Sequence, residues 1–443
     1  MSRTAPLPAA AEPVACTVGS VGLDGDGIAT LPDGTTLYLP VTLPGERVRA
    51  VPNARRGTGL TGPFELVDAS PDRVEPPCPH FPECGGCTVQ HWADAPYAAW
   101  KAELVAQALR RAGFECEPGA VSRTPPLARR RMDLAIRRAA ASGASAAGGP
   151  GAGVLVGLHR PRSSEVVDLH TCLVLHPALF ALVAPLRVLM ERLRCFRREA
   201  SAVVNLLDTG PDLLLRSDAP LGTNDRTLLA GFAQEHGLAR VCWAQGDGEP
   251  ETACSLRPAH LVLSGAAVAP APGAFLQASP QGEAAIVAAV LAGLPAKLKP
   301  KARIVELFSG YGTLSLPLAA HGRVVAYEGD EAACLALRRA SGGRIEVVRR
   351  DLQRQPPQPR ELEGAACVVL DPPWTGAGAT MAPLVAAKVP RVIYVSCNPV
   401  VLGRDATALK AAGYRLLSVA VIDQFLWSSR VEAVAVFALN GRK

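Results

Sequence analysis

The C-terminal part of the chain, residues 279–443, alternates short apolar runs with segments of helical periodicity. The runs are RIVELF, RVVAYE, IEVV, ACVVLD, RVIYVS and YRLLSVAVI. Because parallel strands need crossover helices between them, this alternation predicts a doubly wound, largely parallel α/β sheet. A last run, VEAVAVFAL, is predicted to add an antiparallel strand to that sheet.

The residues before this sheet show two other patterns. In residues 14–70, Gly, Asp and Pro separate predicted short strands about every 8–12 residues, which predicts a small β-barrel in an N-terminal domain over 1–75. Such barrels often bind oligonucleotides, and a purely structural barrel fits the segment equally well. Residues 76–278 mix strand and helix patterns, and we assign them to an α+β central domain before the C-terminal domain of 279–443.

The cysteine content limits the classes of protein that fit. The chain has 12 cysteines, and its N-terminus lacks the apolar stretch of a signal peptide. Its apolar runs are much shorter than the roughly 18 residues that cross a membrane. We therefore expect a cytoplasmic protein with no membrane partner, in which thiols serve metal binding or catalysis rather than disulfides. The net charge of +6 gives an anionic partner only weak support.

Three cysteines lie within ten residues of one another, with the spacing C-x5-C-x2-C: Cys78, Cys84 and Cys87. Three thiolates need one more ligand to complete a four-coordinate metal site or a [4Fe–4S] cluster. The candidates for the fourth ligand are Cys116, Cys172, His80 and His91. Spacing alone leaves zinc and iron–sulfur equally open.

A glycine turn follows the first strand of the C-terminal sheet, with Gly310 and Gly312 in the sequence SGYGT. Glycines at this place let the backbone approach a ligand closely. Glu328 ends the second strand, where a carboxylate suits the hydroxyls of a ribose, and Asp351 follows the third, where it could face an adenine. The pattern favours a nucleoside-type ligand over a merely structural turn, and the absence of G-x-G-x-x-G disfavours a nicotinamide dinucleotide.

Three further positions suggest chemistry at the same edge of the sheet. Asp371 opens the turn DPPW, which offers a carboxylate and the aromatic face of Trp374 to a flat substrate, unless the tryptophan lies in the core. Cys397 follows a strand directly, and a thiolate there is a strong nucleophile, although buried free cysteines are common. Glu432 begins the last apolar strand, as either a general base or an ion-paired strand end.

Taken together, these motifs resemble the RNA 5-methyluridine methyltransferases over nearly the whole chain. Residues 14–70 resemble the TRAM domain, the RNA-binding barrel of that family, and CGGCTVQHW resembles its iron–sulfur motif. GAFLQASPQGE, the D-P-P turn and SCNP follow in the expected order. Four positions depart from the family pattern: Trp374 stands where arginine is usual, Arg430 where histidine is usual, Ser309 where cysteine is usual and Ser279 where asparagine is usual. We expect Arg430 to supply the positive charge of the missing arginine.

The resemblance implies a fold, an activity and a set of site residues. The fold is α/β, with a Rossmann-like class I methyltransferase domain after the TRAM/OB-like barrel and the α+β domain. The activity is methylation of carbon 5 of a uridine in RNA, with 23S-type ribosomal RNA favoured over transfer RNA. The implied roles are nucleophile and general base for Cys397 and Glu432; S-adenosylmethionine binding for Gln277, Phe308, Gly310, Gly312, Thr313, Glu328, Asp351 and Asp371; and [4Fe–4S] ligation for Cys78, Cys84, Cys87 and Cys172.

The resemblance also implies a monomer whose partner is RNA. Two other classes compete with it. One is an RNA-binding protein with a degenerate, inactive methyltransferase domain, against which the presence of both Cys397 and Glu432 argues. The other is a nicotinamide oxidoreductase with an iron–sulfur centre, which the sequence SCNP disfavours.

Overall fold

The computed structural model describes residues 12–117, 119–139, 153–299 and 301–439. Within these residues the chain forms three large sheets and one two-stranded hairpin. No helix of this part of the chain is both long enough and apolar enough to cross a membrane.

The N-terminal sheet has seven short strands in the order β5-β6-β3-β2-β1-β4-β7. Its pairs are antiparallel except for β3 with β6. Buried side chains of this sheet form a small hydrophobic core that includes Val18, Leu37, Leu39 and Val48. The strands are β1 (Val14–Val21), β2 (Gly27–Thr30), β3 (Thr36–Leu39), β4 (Arg47–Ala50), β5 (Ala54–Arg56), β6 (Gly59–Thr61) and β7 (Phe64–Asp68).

The central segment builds a second seven-stranded sheet, in the order β11-β10-β9-β12-β13-β14-β15, and a hairpin of β16 and β17. Its elements, with two that belong to the next sheet, are α1 (Asp94–Arg111), β8 (Val121–Arg123), β9 (Arg131–Arg138), β10 (Val154–His159), β11 (Val166–Asp168), α2 (Pro177–Phe180), α3 (Val183–Arg192), β12 (Glu199–Leu207), β13 (Gly210–Ser217), α4 (Thr223–Glu235), β14 (Arg240–Gln245), β15 (Glu251–Ser255), β16 (Leu261–Leu263) and β17 (Ala266–Val268).

The C-terminal sheet has eight strands in the order β20-β19-β18-β21-β22-β24-β23-β8. Strands β18 to β22 are parallel, and β24 pairs antiparallel with both β22 and β23, as the sequence predicts. The elements are α5 (Pro280–Ala292), β18 (Arg303–Leu307), α6 (Ser315–Leu318), β19 (Arg323–Glu328), α7 (Glu331–Ser341), β20 (Ile345–Arg349), α8 (Pro359–Leu362), β21 (Cys367–Leu370), a 3₁₀ turn (Gly378–Thr380), α9 (Met381–Ala386), β22 (Arg391–Ser396), α10 (Pro399–Ala411), β23 (Tyr414–Asp423) and β24 (Glu432–Leu439).

Helices cover both faces of this sheet, so the predicted doubly wound α/β fold is confirmed. One face packs against α1, α8, α9 and α10, and the other against α5, α6 and α7. Helix α1 and strand β8 precede residue 278 in the sequence, yet α1 covers this sheet and β8 pairs in parallel with β23. The domain boundary at 278/279 stays a prediction. Helix α1 and strand β8 lie before this boundary in the sequence but belong to the C-terminal sheet in the structure.

The strand order places a crevice in the C-terminal sheet. The chain runs from β18 outward to β19 and β20, then returns to the other side of β18 to form β21 and β22. At such a reversal the loops on the two sides diverge, and open α/β sheets bind ligands there, beyond the carboxyl ends of the strands. The loops after β18 and β21 carry the glycine turn and Asp371, so the predicted site residues meet at this crevice.

Candidate active site

The glycine turn after β18 has a backbone that few other residues could adopt. Phe308, Gly310 and Gly312 all have positive φ, of 64°, 51° and 94°. A Cβ added to Gly312 would lie 2.4 Å from Cδ1 of Leu337, so both conformation and space require glycine there. A Cβ added to Gly310 would meet nothing within 4 Å, so the backbone of the turn is open at Gly310 and packed against α7 at Gly312.

Glu328 at the end of β19 is fixed beside this turn. One carboxylate oxygen accepts the N–H of Gly310 at 2.7 Å and the other accepts the N–H of Asp330 at 2.8 Å. Each oxygen keeps a lone pair that can accept a ribose hydroxyl. Asp351 lies next to this strand end, since a Cβ on Gly329 would be 3.5 Å from its Cα. The residues therefore fit the nucleoside part of S-adenosylmethionine.

Three carboxyl groups are enclosed at this edge of the sheet, on Glu306, Asp371 and Glu432. Glu306 and Glu432 are almost fully buried, at 1% and 3% exposure. Burial raises the pKa of Glu306 and of Glu432 to about 8, and that of Asp371 to about 7. The charge of Asp371 contributes to the raised pKa of both glutamates, so the three groups form one electrostatic cluster.

Cys397 lies between the end of β22 and the start of α10, in a tightly bonded turn. The N–H of Asn398 donates to Ser396 Oγ at 3.1 Å, and Asn398 Oδ1 caps the helix by accepting the N–H of Val400 at 3.2 Å. Burial, assisted by the charges of Glu432 and Asp371, raises the pKa of the Cys397 thiol to about 12. The thiol is therefore in electrostatic contact with both carboxyl groups.

Gln424 links two of the predicted site residues, although the sequence analysis did not select it. Its Nε2 donates to Gln277 Oε1 at 2.8 Å and to Glu432 Oε2 at 2.9 Å. Its Oε1 accepts the N–H of Ala278 at 3.1 Å. Because the amide is fully bonded, Glu432 is held as an acceptor and Gln277 keeps its own NH₂ free to donate.

Trp374 and Arg430, two of the positions that depart from the family pattern, contact each other. The Arg430 guanidinium lies 3.9 Å from the centre of the Trp374 ring, and the indole is 45% exposed rather than part of the core. The positive charge of Arg430 lowers the pKa of Cys397 against the larger effect of burial. The expected compensating charge is thus at the site, stacked on the residue that replaces the usual arginine.

The four predicted metal-ligating cysteines line one cavity of about 720 Å³: Cys78, Cys84, Cys87 and Cys172. Burial raises the pKa of Cys87 to about 12, and the other three thiols add to this effect because thiolates so close together would repel one another. Cys116 does not line this cavity but packs in the core beside α1. His80 lines the cavity too, but its Nε2 accepts the N–H of His170 at 3.1 Å.

The thiols do not converge on a single point. Among the described residues, no three His, Cys, Asp or Glu side chains are grouped closely enough to hold one metal ion. The expectation of a metal site therefore receives support from the shared cavity alone.

The raised pKa of Glu306 predicts how stability changes with pH. The folded state holds this proton up to about pH 8, whereas the unfolded chain loses it near the ordinary value of 4.5, so stability is lost as pH rises through this window. Glu306→Gln keeps the acceptor for Ser315 and removes the titration. In urea unfolding, the free energy of unfolding of the variant relative to that of the wild type should rise by roughly 3 kcal/mol between pH 5 and pH 8. Glu363→Gln, an exposed carboxyl of the same domain, is the control; an unchanged difference across the window would contradict the prediction.

Comparison with known proteins shows relatives of this chain over nearly its whole length. The family model described as tRNA (Uracil-5-)-methyltransferase matches residues 361–439. An RNA methyltransferase of uncharacterised function from Brucella suis is 37% identical over 96% of this chain and 98% of its own length. The 23S rRNA (uracil(1939)-C(5))-methyltransferase RlmD of Pectobacterium atrosepticum is 32% identical over 95% of this chain and 92% of its own.

A solved structure has a similar fold over nearly the whole chain. The tRNA (uracil-54, C5)-methyltransferase of Pyrococcus abyssi, in complex with S-adenosyl-L-homocysteine, superposes with a TM-score of 0.69 at 20% identity. The superposition covers 96% of this chain and all of the other. The chain therefore belongs to the RNA 5-methyluridine methyltransferases, the S-adenosylmethionine-dependent enzymes that methylate carbon 5 of uracil in RNA.

Proposed function

We propose that the protein methylates a uridine of 23S-type ribosomal RNA through a covalent adduct with Cys397. The observation that carries the chemistry is the pairing of Ser396 with Ala433 across the antiparallel strands β22 and β24, which places Cys397 next to Glu432. The preference for ribosomal RNA is supported by the RlmD relative, which aligns with 95% of this chain. We assign RNA binding to the TRAM-like sheet within residues 1–75 and to the central domain of 76–278.

The substrate requires covalent help, because carbon 5 of uracil is too weak a nucleophile to react directly. S-adenosylmethionine, when bound, supplies an electrophilic methyl group on a sulfonium sulfur. Once the Cys397 thiol has released its proton to solvent, its sulfur bonds to carbon 6, and the electron pair of the 5,6 double bond makes carbon 5 an enolate-like nucleophile. Carbon 5 would take the methyl group as the bond from that methyl to the sulfonium sulfur breaks and its electron pair stays on sulfur. Glu432 removes the proton from carbon 5, and the released electron pair restores the 5,6 double bond and expels the Cys397 thiolate.

The remaining site residues orient these groups. Gln424 holds Glu432 with an unprotonated oxygen toward its own amide, and the raised pKa of Glu432, about 8, suits a base that works near neutral pH. Glu328, the glycine turn and Gln277 hold the cofactor. Because a base stacked inside a duplex cannot reach an enclosed thiol, we expect the target uridine to be unpaired or flipped out before it reaches Cys397.

The RNA target is testable in cells. In a strain that lacks this gene, mass spectrometry of ribosomal and transfer RNA should show the loss of one 5-methyluridine from 23S rRNA, with transfer RNA unchanged. Restoring the gene with Cys397→Ala should not recover the modification. Loss from transfer RNA alone would reverse the substrate assignment, and no loss in either RNA would favour the degenerate, RNA-binding alternative.

Substitution of the two proposed catalytic residues should stop the reaction at different steps. Cys397→Ala should abolish both methyl transfer and adduct formation. In the Glu432→Gln protein, Cys397 should still add to carbon 6, and carbon 5 should still take the methyl group. Because the proton at carbon 5 then stays in place, a protein–RNA adduct that survives a denaturing gel should accumulate. Cys367→Ala removes a buried thiol at the opposite end of β21, and Glu363→Gln removes an exposed carboxyl of the same domain; these two variants are the controls. An adduct with Cys397→Ala, or full turnover with Glu432→Gln, would contradict the assignment.

We further propose that the four-cysteine cavity holds a [4Fe–4S] cluster, which would supply a rigid link between the segments that carry its ligands. After purification without oxygen, the protein should be brown and contain about four irons and four sulfides per chain. Cys172→Ser should lose this iron, whereas Cys116→Ser, the rival fourth ligand, should keep it. A colourless protein with one zinc per chain would refute the cluster, and loss of iron in Cys116→Ser alone would refute the ligand set.

A further inference from the structure

The Trp374–Arg430 pair is an unusual surface feature for this domain. The indole is 45% exposed, and one of its faces carries the Arg430 guanidinium at 3.9 Å. In the part of the chain that the structure describes, no carboxylate pairs with that guanidinium. The pair thus presents an exposed aromatic surface and an unneutralised, planar positive charge side by side.

Both residues are held by their backbones, so the pair is preformed. Trp374 follows two prolines, and its carbonyl accepts Asn398 Nδ2 at 3.2 Å. The next carbonyl, of Thr375, accepts Arg404 Nη2 at 2.9 Å. The N–H of Arg430 donates to Ser428 Oγ at 3.2 Å. A preformed aromatic surface costs little conformational entropy when a ligand stacks on it.

The pair also borders the catalytic groups. The hydrogen bond from Asn398 ties Trp374 to the residue that follows Cys397, and Arg430 precedes Glu432 by two residues. A molecule that rests on the indole therefore lies at the entrance of the crevice and not inside it. The entrance is where the nucleotide next to a bound uridine has to pass.

We propose that Trp374 and Arg430 form a stacking site for the unpaired nucleotide adjacent to the target uridine. The exposed indole surface takes the base, because every base has a π-face, and the in-plane N–H groups of Arg430 bind the phosphate. This inference rests on the proposed function, since it assumes an RNA substrate with its target uridine at Cys397. These two residues would then select RNA in which the nucleotide beside the target uridine is single-stranded.

The test uses the full-length protein and a short unstructured RNA with one 5-fluorouridine. Fluorine at carbon 5 blocks the final proton removal and traps the adduct, so the position of the RNA on the protein is known. Trp374→Ala should raise the RNA concentration for half-maximal trapping about tenfold. Trp374→Phe should stay close to wild type, since a smaller ring still stacks. Arg430→Ala should weaken binding with a reduced salt dependence. Leu335→Ala, which removes a side chain of similar exposure (44%) on α7, is the control.

An abasic nucleotide on one side of the 5-fluorouridine separates stacking from a general structural effect. It should weaken the wild type about as much as Trp374→Ala does, and it should cost the Trp374→Ala protein nothing further. Additive losses, or no loss in Trp374→Ala, would overturn the stacking site. If the wild type traps no adduct, the covalent mechanism fails. Equilibrium binding of the same RNAs by fluorescence anisotropy then still decides the stacking site on its own.

Discussion

The buried carboxylate of Asp423 organises the active-site side of the C-terminal sheet. It is fully buried at the end of β23, where its two oxygens accept Lys101 Nζ at 2.5 Å and the Tyr97 hydroxyl at 2.7 Å. A buried charge is tolerated only when its partners are in place, so α1 is held in one position against β23. The next residue is Gln424, whose amide bonds to Glu432 and Gln277. The geometry of the proposed base therefore depends on an ion pair that takes no part in the chemistry.

The loop that follows Asp423 also connects this site with the cysteine segment. The Trp427 carbonyl accepts the N–H groups of Thr88 and Val89 at 2.8 and 3.0 Å, directly after Cys87. Its N–H donates to the Tyr97 hydroxyl at 2.9 Å. Residues on both sides of Trp427, including Arg430, line the cavity of the four cysteines. Displacement of the cysteine segment would thus disturb the residues before Glu432, which gives a structural reason for a rigid group in that cavity.

The sequence predicts the residues at the strand ends well, and the links between them poorly. Apolar runs show where β18, β19 and β22 end, and this alone brings Glu328, Gly310 and Cys397 to one edge of a parallel sheet. Gln424 was missed because its partner Gln277 is 147 residues away, and no local pattern marks a residue as the bridge between two others. Strand β8 was missed for a similar reason: it has three residues, and its place beside β23 depends on the packing of α1.

Burial of the carboxyl groups at the site has two opposite effects: it lowers the stability of the folded domain, and it makes the proposed base stronger. Enclosing Glu306, Asp371 and Glu432 together raises the pKa of each carboxyl group, which lowers the stability of the folded domain as these groups ionise. The same enclosure makes Glu432, the proposed general base, a stronger base than an exposed glutamate. Arg430 stands outside this enclosure, exposed and stacked on Trp374, so its charge reaches Cys397 without being buried beside it. In the proposed mechanism, a cation at the entrance therefore assists the nucleophile while it remains available to the phosphate backbone of the RNA.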